Sequence, residues 1–310
     1  MNNDWVELEA ADGHRFRAWR SLPPEEPLGS VIVAQEIFGV NRHIRWVAEQ
    51  ISAHGYAAYA PCLFDRVGGN VELGYDEAGV AAGRKRMAAL GFDAALRDVA
   101  ATAAVAEAHG PVGTVGFCWG GTLAWLCATR LGLPSVSYYG ARTRPFLDET
   151  PKAPVLMHFG VKDALIPQDF YDELSRKHPQ VPVHFYNAGH GFNCNERADF
   201  HAESAALAWR RTFAFLREHL AELAGPWLFP SVPPSRRRGA GVPAWVGGPT
   251  TGDNVAARLK RACGRAGVDY CGAHIMRRGA ATAAARAGAS PAALASFLGH
   301  SDLRKIGRAS

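Results

Sequence analysis

Short runs of β-branched and aromatic residues alternate along the chain with longer stretches in which apolar side chains recur every three or four positions. The runs Val31-Ile32-Val33-Ala34, Ala57-Ala58-Tyr59-Ala60, Val112-Gly113-Thr114-Val115-Gly116, Val136-Ser137-Tyr138-Tyr139, Pro154-Val155-Leu156-Met157-His158-Phe159 and Val181-Pro182-Val183-His184-Phe185-Tyr186 read as strands. Between them, the helical spacing predicts helices over about 41–54, 93–109, 120–132, 168–177 and 199–221. Strand followed by helix, repeated, predicts an α/β fold: a doubly wound, mostly parallel sheet with helices on both faces. In such sheets ligands gather at the loops that leave the C-terminal ends of the strands, and chemistry is to be sought there.

The pattern changes near Gly225. From there to Thr251 the chain turns to Pro, Gly and Ser with the run Arg236-Arg237-Arg238, and the remainder is Ala-rich, helical in spacing and poor in large apolar residues. The expected organisation is an α/β domain over 1–223, a linker over 224–252 and a helical fragment over 253–310. Charge divides at the same place. Residues 1–225 carry 21 Lys and Arg against 26 Asp and Glu, and residues 226–310 carry 13 against 3. The net of −5 in the first part and +10 in the second leaves only the tail suited to an anionic partner such as nucleic acid.

No apolar run approaches the ~18 residues of a membrane span, and the N-terminus is acidic where a signal peptide would be basic. A cytoplasmic, monomeric protein is expected. The six cysteines form no CxxC pair, so they read as reduced thiols rather than zinc ligands or disulfides, and neither metal nor cofactor is called for.

Gly116-Phe117-Cys118-Trp119-Gly120-Gly121 follows a predicted strand and opens a predicted helix, the context of a nucleophile elbow of G-x-[S/C]-x-G type. Small flanking residues let neighbouring chains pass the sharp turn, and the helix N-terminus favours a thiolate. In isolation the motif reads first as a buried cysteine in a Gly-rich turn. Two further placements change that. Asp163 follows the 154–159 strand and His190 follows the 181–186 strand, so that nucleophile, acid and histidine come in the chain order of α/β-hydrolases, each after its own strand. Cys118 would attack an acyl carbon, His190 would carry the proton and Asp163 would orient the imidazole. A thiolate also leaves readily, which favours activated esters and lactones over amides.

With Gln35-Glu36-Ile37-Phe38-Gly39 after the first strand, Gly-Phe-Cys-Trp-Gly-Gly around Cys118, Gly-x-x-Asp at Asp163 and His-Gly-Phe at His190, residues 5–220 resemble the dienelactone hydrolase family of α/β-hydrolases. The resemblance implies that Glu36 lies beside the cysteine and helps form the thiolate when substrate binds. It also implies that the backbone N–H groups of Ile37 and Trp119 hold the oxyanion. Family members acting on dienelactone grip its carboxylate with arginines, one shortly after the catalytic histidine. Here Cys194 stands at that position. Arg197 is the candidate replacement, with Arg84 or Arg86 on the other side of the site. The expected substrate is a small ester or lactone.

The tail carries its own motifs. Gly272-Ala273-His274-Ile275-Met276-Arg277-Arg278-Gly279 and Phe297-Leu298-Gly299-His300-Ser301 resemble the C-terminal part of a tyrosine recombinase, or phage integrase, catalytic domain over 227–305. His274 and Arg277 would share one helical face, suited to clamping a phosphate, and His300 would be the second histidine. Strand cleavage needs a tyrosine about nine residues later, and Ala309 stands there; the last tyrosine is Tyr270. The tail therefore reads as an inactive remnant, with salt-sensitive, nonspecific nucleic-acid binding as its residual capacity. The rival reading of the whole chain is a DNA-integration-related protein in which this tail dominates.

Overall fold

A computed structural model describes residues 1–69 and 71–224. The expected linker and helical fragment, with His274, Arg277 and His300, lie outside the described residues. The described part holds one eight-stranded sheet of order β1-β2-β4-β3-β5-β6-β7-β8. Strands β3 (Ser30–Ala34), β4 (Ala57–Pro61), β5 (Val112–Phe117), β6 (Ser135–Tyr138), β7 (Val155–Gly160) and β8 (Val183–Tyr186) are parallel. These are the six strands that the apolar runs predict.

Strands β1 (Asn2–Glu9) and β2 (Arg15–Leu22) add an antiparallel edge that the apolar runs do not reveal. Edge strands bury one face at most, so their sequences alternate and stay polar: in β1 Leu8 is buried while Asn2, Asn3 and Glu7 are exposed. The signal that does exist is the Asp12-Gly13 turn, with Gly13 at φ 79°, between two alternating segments.

The helices divide between the two faces of the sheet. α2 (Glu77–Ala106), α3 (Trp119–Leu126) and α4 (Gln168–Lys177) share an apolar core with Ile32 and Ala34, whereas α1 (Arg42–Ala53) and α5 (Ala202–Ala224) share another with Val31 and Val33. Successive residues of β3 thus serve opposite layers, as a strand period of two requires. This explains why a central strand reads as a continuous apolar run, each fully buried Val or Ile contributing about 1.5–3 kcal/mol. α1 begins where Asn41 Oδ1 accepts from the Ile44 amide at 3.2 Å. α2 starts well before the predicted 93–109 stretch because Asp76 caps it through the Gly79 amide at 2.8 Å, and it is broken at Gly91 (φ 70°, ψ 175°). No helix of the described residues is long and apolar enough to cross a membrane.

Candidate active site

Cys118 occupies the turn between β5 and α3 with φ 54° and ψ −113°, a conformation that L-residues adopt at a cost of order 1–3 kcal/mol. Its amide donates to the Tyr138 carbonyl on the neighbouring strand at 3.0 Å. The turn is possible only because of the flanking glycines. A Cβ on Gly116 would lie 1.9 Å from the Gly120 carbonyl oxygen, and one on Gly120 would lie 2.2 Å from the Ala34 oxygen of β3. The elbow is therefore wedged between its own helix and the adjacent strand.

Two other loops bring their side chains to it. His190, past β8, donates from Nδ1 to Asp163 Oδ2 at 2.7 Å and presents Nε2 to Cys118 Sγ at 3.1 Å. Asp163, past β7, is held by the Leu165 amide, which donates to its other oxygen at 2.9 Å. Burial disfavours the charged imidazole, but Asp163 and Cys118 outweigh that and raise the His190 pKa from 6.5 to about 10. The other described cysteines differ. Burial pushes the thiols of Cys62, Cys127 and Cys194 up to about 12, with Asp65 adding to the effect at Cys62 and Glu36 at Cys194. Cys118 is only partly buried and sits at a helix N-terminus.

Glu36 lies two residues past β3 with 1% of its surface exposed, and neither carboxylate oxygen accepts a hydrogen bond among the described residues. Its counter-charge is Arg197, whose Nη1 stands 3.5 Å from Oε1. The guanidinium lies 6.0 Å from the ring centres of both Phe38 and Tyr75. It also fills the space beside Gly191 (φ 79°), where a Cβ would come within 2.8 Å of it. Cys194, at the position of the expected arginine, is buried in the same cluster near Glu36 and Tyr75. Arg197 thus reaches this cluster from three residues further along.

The two α2 arginines part company. Arg84 is exposed. Arg86 is half-buried, one turn beyond Gly83, the residue against which the Ile37 carbonyl packs. Its Nη1 donates to its own helix at the Ala82 carbonyl, 3.5 Å away, and it pairs with no carboxylate among the described residues. Ile37 follows Glu36 in the loop after β3, and Trp119 opens α3, where first-turn amides lack intrahelical acceptors.

One residue of this neighbourhood escapes a sequence reading. Tyr139 follows β6 with φ 40°, is fully buried, and sets its ring edge against His190 at 5.0 Å between centroids. Its position at the C-terminal end of a central strand was the available signal. Among the described residues, no group of three or more His, Cys, Asp or Glu could hold a metal.

The dienelactone hydrolase family model matches residues 16–220, and a phage integrase family model matches residues 203–308, beginning within α5. The carboxymethylenebutenolidase of Pseudomonas putida is 33% identical over 228 residues, spanning 70% of this chain and 97% of the relative. A Synechocystis protein assigned as a carboxymethylenebutenolidase is 35% identical over 205 residues, covering 58% and 82%. A solved structure from Klebsiella pneumoniae, assigned as a dienelactone hydrolase, has 29% identity and a TM-score of 0.59, covering 69% of this chain and 98% of its own. From the sheet order, the three loops that converge at its C-terminal end and these matches together, it follows that the chain belongs to the dienelactone hydrolase family.

Proposed function

We propose that this hydrolase cleaves carboxylic esters or lactones through a Cys118–His190–Asp163 triad and a covalent acyl-enzyme. The observation that carries the reading is the continuous line from Asp163 Oδ2 through both nitrogens of His190 to Cys118 Sγ, built from three separate loops. The Cys118 thiolate adds to the acyl carbon, and the amides of Ile37 and Trp119 receive the oxyanion. Collapse expels the alkoxide, which takes its proton from the His190 imidazolium. Water, deprotonated by His190, then hydrolyses the thioester and restores Cys118. Asp163 keeps the imidazole in the tautomer that faces sulfur and stabilises its charged form.

Glu36, whose carboxylate is buried with unused acceptors and paired at 3.5 Å with the Arg197 guanidinium, takes up the thiol proton when substrate binds and returns it to the thiolate that hydrolysis frees, while His190 enters the cycle already as the imidazolium. Arg197, and across the site Arg86, are the candidates for an anionic group on the substrate. Exposed Arg84 has no comparable support. The proposal extends to organisation: residues 1–223 act as the catalytic unit, and the integrase-like residues beyond contribute nothing to hydrolysis. The test is Cys118→Ala with γ-butyrolactone and aryl esters, together with mass spectrometry of acid-quenched wild-type enzyme. Loss of turnover and an acyl adduct on Cys118 are expected. Retained turnover in the variant sinks the nucleophile assignment.

A further inference from the structure

On the α5 face of the sheet, toward the N-terminal ends of β7 and β8, lies a cavity of about 760 Å³ that shares no residue with the catalytic loops. Small-molecule sites span about 300–1,000 Å³ and combine apolar lining with a few polar groups. Here Leu156, Val181 and Phe215 supply apolar surface, while Lys152, His184, Arg211 and His219 lie among the polar lining residues. Glu218 is the one carboxylate among the described lining residues; it is exposed and sits seven residues beyond Arg211, about 10 Å along the helix. Arg211 is half-buried, and its one hydrogen bond among the described residues runs from Nη1 to the Tyr186 hydroxyl at 3.1 Å. A guanidinium carries five N–H donors, so most of its capacity is unused there, and no described carboxylate pairs with it. Its anchor is firm. The Tyr186 hydroxyl lies 2.9 Å from His158 Nδ1, His158 Nε2 lies 3.2 Å from Thr212 Oγ1, and that oxygen lies 2.6 Å from the Tyr138 hydroxyl. This buried line fixes the guanidinium without neutralising it: burial, then the positive neighbours His184 and Arg211, push the His158 pKa well below 6.5, and burial followed by Arg211 lowers that of His184. A partly buried charge without a counter-charge is costly, and an anion in the cavity would offset that cost.

We propose that this cavity is a second ligand site, separate from the catalytic one, which takes a small organic carboxylate: the anion lies on Arg211 beside His184, and an apolar body lies against Leu156 and Phe215. The planar guanidinium fork matches the two oxygens of a carboxylate. Because Tyr186 already holds Arg211 in place, little side-chain freedom is lost on binding. The apolar lining favours an organic acid over an inorganic ion, which has no apolar surface to bury there. The inference is independent of the chemistry at Cys118.

The experiment is isothermal titration of the full chain with phenylacetate, with its neutral analogue phenylacetamide and with inorganic phosphate. The expected result is a saturable phenylacetate event that is weakened about tenfold or more in Arg211→Gln, the loss of one charge-assisted contact, with phenylacetamide and phosphate each binding wild type at least about tenfold more weakly. Absence of saturable phenylacetate binding, or binding undiminished in Arg211→Gln, overturns the proposal. Phosphate or the amide binding as tightly as phenylacetate overturns it too, since recognition would then lack its apolar or its anionic half. Ala214→Trp narrows the cavity from α5 without removing a charge, and it should weaken phenylacetate by a similar factor. That variant decides the matter if Arg211→Gln fails to fold: undiminished binding in it overturns the site.

Discussion

Replacing Asp163 with Asn tests the triad through its electrostatics. The Leu165 amide, 2.9 Å from Asp163 Oδ1, needs an acceptor, so the introduced asparagine would turn its oxygen to Leu165 and its NH₂ to His190. His190 Nδ1 must then accept, which holds the ring neutral with its one proton on Nε2, so that it can neither serve the alkoxide as an imidazolium nor take a proton from the attacking water at Nε2. The charge balance changes too. His190 is raised from 6.5 to about 10 against its own burial, equivalent to about 5 kcal/mol in favour of the imidazolium, with the Asp163 hydrogen bond the larger favourable influence and Cys118 the next. Because the folded pKa is raised, this stabilisation is fully present below about 6.5 and is lost as pH rises through about 10. Without the carboxylate, burial persists and the alkaline limb of kcat/KM should move down by at least ~2 pH units, with kcat lowered about ten-thousand-fold, as for the same change in a serine triad. The assay is a pH–rate profile on an aryl ester from about pH 5 to 10.5, limited by buffer stability of the substrate. An alkaline limb that stays in place, or a loss under tenfold, would refute the orientation argument.

Arg66→Ala should destabilise the protein by about 3–5 kcal/mol in urea titrations at neutral pH, because Asp98, with no exposed side-chain surface, accepts from Arg66 at 2.9 and 2.7 Å. The deficit should shrink in acid, since burial already raises the Asp98 pKa and the stranded carboxyl can protonate. Gly120→Ala should abolish activity or soluble expression, as its Cβ would sit 2.2 Å from the Ala34 oxygen, whereas Gly74→Ala, whose Cβ would meet nothing nearer than 3.7 Å, should shift stability by under ~0.5 kcal/mol in the same assay. Limited iodoacetamide treatment followed by peptide mapping should modify Cys118 well before Cys62, Cys127 and Cys194, whose thiols are pushed up to about 12; equal labelling removes the assignment. A chain ending at Leu223 should keep wild-type kcat/KM and Tm, because the sheet, the three site loops and the apolar residues described for both layers all lie before it; a several-fold loss contradicts the proposed division at 223.

The parallel sheet was legible because β3 to β7 are buried along their whole length and so are largely apolar, and β8, though partly exposed at the far edge, keeps a β-branched and aromatic run, whereas β1 and β2 could stay polar and were hidden. Cys118, Asp163 and His190 were legible for a related reason: each follows its own strand, and the elbow glycines mark a turn that larger residues cannot make. Sequence order could say that these three loops open at the same end of the sheet. It could not give the 3.1 Å and 2.7 Å contacts that join them. The Glu36 cluster depended still more on the fold. Cys194 occupies the position where the family resemblance placed an arginine, and only the folded loop, with Gly191 leaving room for a guanidinium, brings Arg197 to 3.5 Å from Glu36. Tyr139 was the least visible, a second tyrosine in an apolar run. Its unpaired hydroxyl and its contact with His190 arise from residues 51 positions apart in the chain, and local pattern carries no record of such a meeting.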